Sequence, residues 1–425
     1  MKRDADKCSE FFAYRGGELH CEGVSLAGLA KRIGTPLYVY SQSALEQQFR
    51  QFESAFSDTP HITCYAVKAN SNLAILALFR KMGAGFDIVS GGELRRVICA
   101  GADPGQIVFS GVGKSADELD LALKHGILQF NVESEPELAL LEQRARAAGR
   151  VAPVGLRLNP DVDPVTHPYI ATGLSRSKFG LPAASAVSLF RQYSQSRHLR
   201  ILGIGCHIGS QITSLGPFIA AARRLSEVVL ELRAAGIRVR HLDLGGGLGI
   251  RYDNDIPPSP AVYAAAIKRE LGHLDCSLVL EPGRVIVGAA GILLTSVQLI
   301  KKAQRRNFVV VDAALNDLIR PSLYGAYHRV LPVSATRRPA SKVDVVGPVC
   351  ESADFLAQDR MLPRVKPGEL LAVMSAGAYG FVLSSNYNSR PRAAEILIKD
   401  GRFRVIRKRE AFADLVRLET AQPFR

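Results

Sequence analysis

The chain has 425 residues, of which 47% are hydrophobic and 22% charged, enough apolar material for a large core and too much for a disordered protein. The formal net charge is +14, but the basic residues are dispersed and no block exceeds the short run at 407–409. That pattern reads as a solvated surface able to attract small anions and excludes a dedicated nucleic-acid binder. Seven cysteines (8, 21, 64, 99, 206, 276 and 350) form no CxxC pair, and the first twelve residues carry charges where a signal peptide needs its apolar run. A reduced, cytoplasmic protein is expected, with no membrane span and no metal site.

In chain order, residues 1–44 contain strand patterns at 17–23 and 35–41 and are expected to join a second domain. From residue 61 short apolar strands alternate with helical patterns. The strands read 61–68, 84–90, 106–112, 128–134, 152–159, 202–209, 240–247 and 277–283. Helix starts lie between them: Ser115 and Glu118 are spaced as a capping box, and Pro136 stands in a first helical turn. Eight βα units over 45–284 predict a (β/α)8 TIM-type barrel. In the fifth strand Val154, Leu156 and Leu158 oppose Gly155, Arg157 and Asn159, and in the seventh Leu242 and Leu244 oppose His241, Asp243 and Gly245. The small and polar face is expected to turn into the lumen. Beyond Arg284 the pattern changes to strands without intervening helices, at 285–300, 307–313, 342–349, 369–375 and 395–406, the last with an Asp400-Gly401 hairpin turn. A mostly antiparallel β-barrel or sandwich is expected over 285–425, completed by the N-terminal segment.

The strand ends carry the chemistry. Lys68 ends the first strand, and alternation places it with Ile62, Cys64 and Ala66 on the lumen side. A desolvated lysine there is a candidate Schiff-base former, or it snorkels to solvent. Residues 245–249 read GGGLG after the seventh strand, a loop able to surround a phosphate or simply a tight turn. It is no dinucleotide fingerprint, because Ile250 stands where the third glycine belongs. Glu281, in the EPGR run that ends the eighth strand, suits a protonated pyridine nitrogen, and Arg284 an anion; an internal salt bridge is the plainer reading. His207 lies on a lumen face, where it either stacks on a planar ring or is a core histidine, and Cys350-Glu351 alone says little. A rim lysine, a glycine loop and an acid for a ring nitrogen together describe a pyridoxal phosphate site.

These residues stand in motifs that run through nearly the whole chain: YAVKAN (65–70), FSGVGKS (109–115), FNVESEPEL (130–138), residues 157–180, HIGSQI (207–212), LDLGGGLGI (242–250), LEPGR (280–284), residues 316–328, VGPVCESADFLAQDR (346–360) and residues 375–392. In them the sequence resembles the diaminopimelate decarboxylase family of the alanine-racemase-like class. The resemblance implies decarboxylation of meso-diaminopimelate to L-lysine with pyridoxal 5′-phosphate. It implies that Lys68 carries the cofactor, that His207 stacks on its ring and that Glu281 pairs with its ring nitrogen. Ser210, Gly245, Gly246, Gly247 and the backbone of Glu281, Pro282, Gly283 and Arg284 would hold the phosphate, with Tyr379 near cofactor and substrate. Arg284, Arg320 and Tyr324 would grip a substrate carboxylate. Family members are homodimers with shared sites, so Cys350 as proton donor and Glu351 as ligand of the distal ammonium are implied to act in the partner subunit's site. Decarboxylation of another amino-acid diacid, decarboxylation of ornithine or arginine, and a non-catalytic cofactor carrier are the alternative readings.

Overall fold

A computed structural model describes residues 11–422 apart from 165, 175, 176, 304 and 305. Cys8 and three positions of the 157–180 motif lie outside the described residues. The chain divides into two compact units, one of Glu46–Arg251 and Asp255–Ile286, the other of Met1–Leu45, Tyr252–Asn254 and Val287–Arg425.

The first unit is a closed parallel barrel. Its eight strands are His61–Ala66, Gly85–Ile88, Ile107–Phe109, Gln129–Val132, Ala152–Asn159, Leu199–Gly205, His241–Asp243 and Ser277–Leu280. Each pairs in parallel with the next, and the eighth returns to the first. Helices cover the outside, and local sequence starts them: Ser90, Ser115, Ser134 and Ser259 each accept a backbone N–H in the first turn. Ser115 and Glu118 close the capping box, and that helix ends on Gly126 in the left-handed region. Val154, Leu156 and Leu158 are buried as the alternation requires. Cys64, Val108 and Val279 cluster although the first and third strands are not neighbours, so this contact crosses the lumen. Gly205 in the sixth strand makes room for Asp243 in the seventh, since a Cβ there would lie 2.5 Å from the Asp243 Cβ.

The second unit is a mixed nine-stranded sheet with a separate three-stranded one, Phe12–Arg15, Glu18–Cys21 and Val24–Ser25. Leu37–Ser41 is buried along its whole length because it lies between Gly291–Lys302, antiparallel, and Ala394–Lys399, parallel. Most pairings are antiparallel; Asn307–Val311 with Ala340–Val346 is the other parallel one in this sheet. The Ala394–Lys399 and Arg402–Arg407 hairpin turns at Asp400 and Gly401, both at positive φ. Two expectations need correction. The strand read from residue 285 begins at Gly291, because Arg284–Val287 makes a helical turn, and the unit is not helix-free, since Pro321 opens a short helix over Arg320–Tyr324. Among the described residues no helix is long and apolar enough to cross a membrane, and Cys21, Cys64, Cys99, Cys206, Cys276 and Cys350 are unpaired.

Candidate active site

The C-terminal ends of the barrel strands surround a cavity of about 320 Å³ whose lining includes Lys68, Ser110, Asn131, Arg157, His207, Asp243 and Glu281. This is the end at which barrel enzymes place their chemistry. The first strand stops at Ala66, and Lys68 sits in the 3-10 turn Val67–Ala69, so strand alternation does not aim it; the turn does. Nor is its amine isolated in apolar surroundings as the desolvation argument supposed. It is ion-paired with Asp87, a fully buried carboxylate at the end of the second strand.

Glu281 lies just past the eighth strand and is buried at 5% exposure. Ser110 Oγ donates to its Oε1 at 3.2 Å, and Asn131 Nδ2 lies 3.3 Å from the same oxygen and 2.6 Å from Asp243 Oδ2. Burial, with Asp243 and Asp87 nearby, holds the Glu281 carboxyl well above the usual carboxylate range. His207 is partly open to the cavity, and burial, Arg157 and Lys68 push its imidazole well below its ordinary value, so it presents a neutral ring. Its Nδ1 accepts the Gly246 N–H at 3.1 Å, while the Gly245 N–H goes to Asp243 Oδ1 at 2.8 Å. Two of the three loop amides expected to face a phosphate are therefore used within the protein. Gly245 has φ +60°, and a Cβ on it would stand 2.7 Å from His207 Nδ1, so this loop approaches the ring as closely as glycine permits. Arg284, buried at the start of the turn after Glu281-Pro282-Gly283, donates from Nη2 to Ser210 Oγ at 3.0 Å.

The remaining expected residues belong to the second unit. Arg320 is buried, and its Nη1 donates to Tyr252 Oη at 2.8 Å and to His328 Nε2 at 2.9 Å. Tyr324 ends the same short helix, half-buried. Tyr379 is half-buried at φ 54°. Cys350 and Glu351 are both exposed; the Cys350 N–H donates to Asn388 Oδ1 at 2.9 Å. Sequence reasoning assigned no role to Asp87, Ser110, Asn131, Arg157 or Asp243, all at strand ends. Arg157 and Asp243 were visible as polar residues on inward faces, whereas the partners that give them meaning, such as Glu133 2.8 Å from Arg157, come from other strands.

Residues 42–288 match the family described as pyridoxal-dependent decarboxylase, pyridoxal binding domain. The chain is 50% identical over 412 residues to the diaminopimelate decarboxylase of Pseudomonas aeruginosa, a match covering 97% of this chain and 99% of that one. Among solved structures it is similar to the diaminopimelate decarboxylase of Helicobacter pylori complexed with L-lysine, at 44% identity and TM-score 0.90, over 92% of this chain and 98% of that one. The M. jannaschii diaminopimelate decarboxylase in co-complex with L-lysine is similar at 36% identity and TM-score 0.93, over 97% and 98%.

Proposed function

The chain belongs to the diaminopimelate decarboxylases within the pyridoxal-dependent decarboxylase family, and on that premise we propose that it converts meso-2,6-diaminopimelate to L-lysine and carbon dioxide. The observation that carries this reading is 50% identity sustained over 97% of the chain, in a protein whose barrel cavity gathers Lys68, His207 and Glu281. The donor set suits pyridoxal 5′-phosphate: one amine, one neutral flat imidazole, one buried acid, and an arginine with a serine hydroxyl. Bound there, the cofactor supplies an electron sink for the pair left by the departing carboxylate.

This chain's residues do the rest. Lys68 provides the attaching amine, and Asp87 fixes its position. His207 packs its neutral ring as a flat wall. Glu281 offers a proton to the ring nitrogen, and Ser110 and Asn131 aim its carboxyl. Ser210, Arg284 and the glycine loop take the phosphate end. Arg284, Arg320 and Tyr324 receive carboxylate; the two bonds from Arg320 Nη1 to Tyr252 and His328 set the plane of that guanidinium. Tyr379 is assigned to cofactor and substrate. The active unit is a cytoplasmic homodimer in which exposed Cys350 and Glu351 serve the partner subunit's site, Cys350 returning a proton to Cα and Glu351 holding the distal ammonium. Two arginines favour a diacid, because each offers a carboxylate charge-assisted hydrogen bonds that a substrate without the second carboxylate does not take up.

Carbon dioxide release from meso-diaminopimelate, with L-lysine, L-ornithine and L-arginine in parallel, tests the reading. Release from the first alone is the expected result. Release only from ornithine or arginine makes it a basic amino-acid decarboxylase, and cofactor binding with no release from any of them points to a specialised diacid substrate or to a carrier.

A further inference from the structure

The floor of the barrel cavity holds more acid than one ring nitrogen needs. Asp243 and Glu281 end adjacent strands and are 4% and 5% exposed. One amide nitrogen, Asn131 Nδ2, stands 2.6 Å from Asp243 Oδ2 and 3.3 Å from Glu281 Oε1, so the two carboxylate oxygens lie no farther apart than those two legs together. The amide cannot turn away. Gln129 Nε2 donates to Asn131 Oδ1 at 2.8 Å, and Gln129 Oε1 lies 3.0 Å from His241 Nδ1, which turns the nitrogen of Asn131 toward the acids and toward Ser110 Oγ, 3.0 Å away. The backbone ties the pair as well: Glu281 N donates to Gly245 O at 2.7 Å, and Gly245 N donates to Asp243 Oδ1 at 2.8 Å.

The groups facing this pair do not neutralise both charges. From the turn after the first strand comes Lys68 and from the second strand Asp87, which pair with one another; from the fifth comes Arg157, which pairs with Glu133. The thiols of Cys64 and Cys206 and the hydroxyl of Tyr263, on the helix before the eighth strand, are pushed up by burial and stay neutral, as does the His207 ring. Two buried carboxylates this close do not both ionise until a further positive charge faces them. In keeping with that geometry, burial and Asp87 push Asp243 up to about 6, against the hydrogen bonds it accepts.

We propose that Asp243 and Glu281 act as one acid pair that carries a single proton at neutral pH, and that Asp243 is the positioning residue that keeps this proton on Glu281. The inference rests on the reading above that Glu281 meets the ring nitrogen of pyridoxal phosphate. A pair of this kind supplies the ring nitrogen from within the site: one O–H bond breaks, one N–H bond forms, and the pair gains one negative charge as the ring gains one positive. No proton is drawn from solvent.

The test is infrared spectroscopy of the full-length chain, first freed of cofactor, following the stretch of a protonated buried carboxyl through a pH titration after the contribution of Glu93, which burial pushes up to about 7, is subtracted by means of Glu93→Gln. Wild type is expected to show this band at neutral pH, and Glu281→Gln to lose it. In Asp243→Asn the Glu281 band should titrate lower by about one pH unit or more, a tenfold change in its ionisation ratio. Glu281→Gln supplies the reciprocal reading should Asp243→Asn not fold: the Asp243 band should then titrate below its wild-type midpoint. A residue that merely packs would move neither midpoint. Adding pyridoxal phosphate to wild type should abolish the band. The proposal is overturned if wild type lacks the band at neutral pH, if the surviving acid titrates unchanged in the single variants, or if the band outlasts cofactor binding. Because the titration is read without cofactor or substrate, failure of the pair is distinguishable from failure of the decarboxylase assignment, which the carbon dioxide assay reads.

Discussion

Lys68 illustrates how a residue's surroundings, not its position in a strand, set its chemistry. Its side chain is 31% exposed and ion-paired with Asp87, in a turn rather than in the strand. Lys68→Ala is expected to abolish both the cofactor's visible absorption and turnover, because no other lysine among the described residues lines the cavity. An absorption spectrum of the variant after incubation with pyridoxal phosphate checks this. Gly205 matters for the opposite reason, since it contributes no atoms. A methyl group there meets the Cβ of Asp243 at 2.5 Å and its carbonyl oxygen at 2.7 Å, and backbone cannot yield as a side-chain tip can. Gly205→Ala should cost about 1–3 kcal/mol in urea denaturation and weaken cofactor binding, because Asp243 is displaced with its partners.

At the scale of elements, the helix Ala116–His125 is specified at both ends by its own residues. Ser115→Ala removes one side of the capping box and should lower stability by about 1 kcal/mol with the cavity chemistry intact, as denaturant midpoint and turnover together would show. The next helix, Glu135–Ala147, depends on a contact no local pattern reveals. Lys114 Nζ is buried between Gly111 O at 2.8 Å, Asn131 O at 2.7 Å and Glu137 Oε1 at 2.6 Å. Lys114→Met leaves Glu137 charged and unpaired in the interior, and a loss of about 3–5 kcal/mol is expected. The double variant Lys114→Met/Glu137→Leu should recover much of it, and a double-mutant cycle by denaturation measures how much.

At the scale of the whole molecule, the barrel buries acids at one end, and its stability acquires a pH dependence of definite sign. Burial pushes the Glu93 carboxyl up to about 7, with Asp87 adding to the effect against the Val89 amide and Lys68. Its folded value stands above the unfolded one of about 4.3, so the native state holds the extra proton between the two. The contribution is fully present below the unfolded value and is lost as pH rises through the folded one. Glu93→Gln, which keeps an acceptor for Val89 N, should therefore lose less stability than wild type between mildly acid and neutral pH. Urea midpoints of both proteins at the two pH values decide it.

Much of this was legible without coordinates because it is written locally. Alternation in 152–159 sorted Val154, Leu156 and Leu158 from Gly155, Arg157 and Asn159, and the Ser115 and Glu118 spacing marked a helix start, since periodicity and capping depend only on neighbours along the chain. Eight such units in succession imply a barrel, and motifs from YAVKAN to LEPGR carry the family. What tertiary structure decided is every relation between distant segments. Leu37–Ser41 became a central strand only by pairing with residues more than 250 positions away, and the strand read from residue 285 yielded its first turn to a helix. Asp87 found Lys68, Glu133 found Arg157, and Asn131 bridged Asp243 and Glu281 because barrel closure brings strand ends together. A carboxylate's protonation depends on burial and on the charges facing it across the lumen, and neither is a property of its place in the sequence.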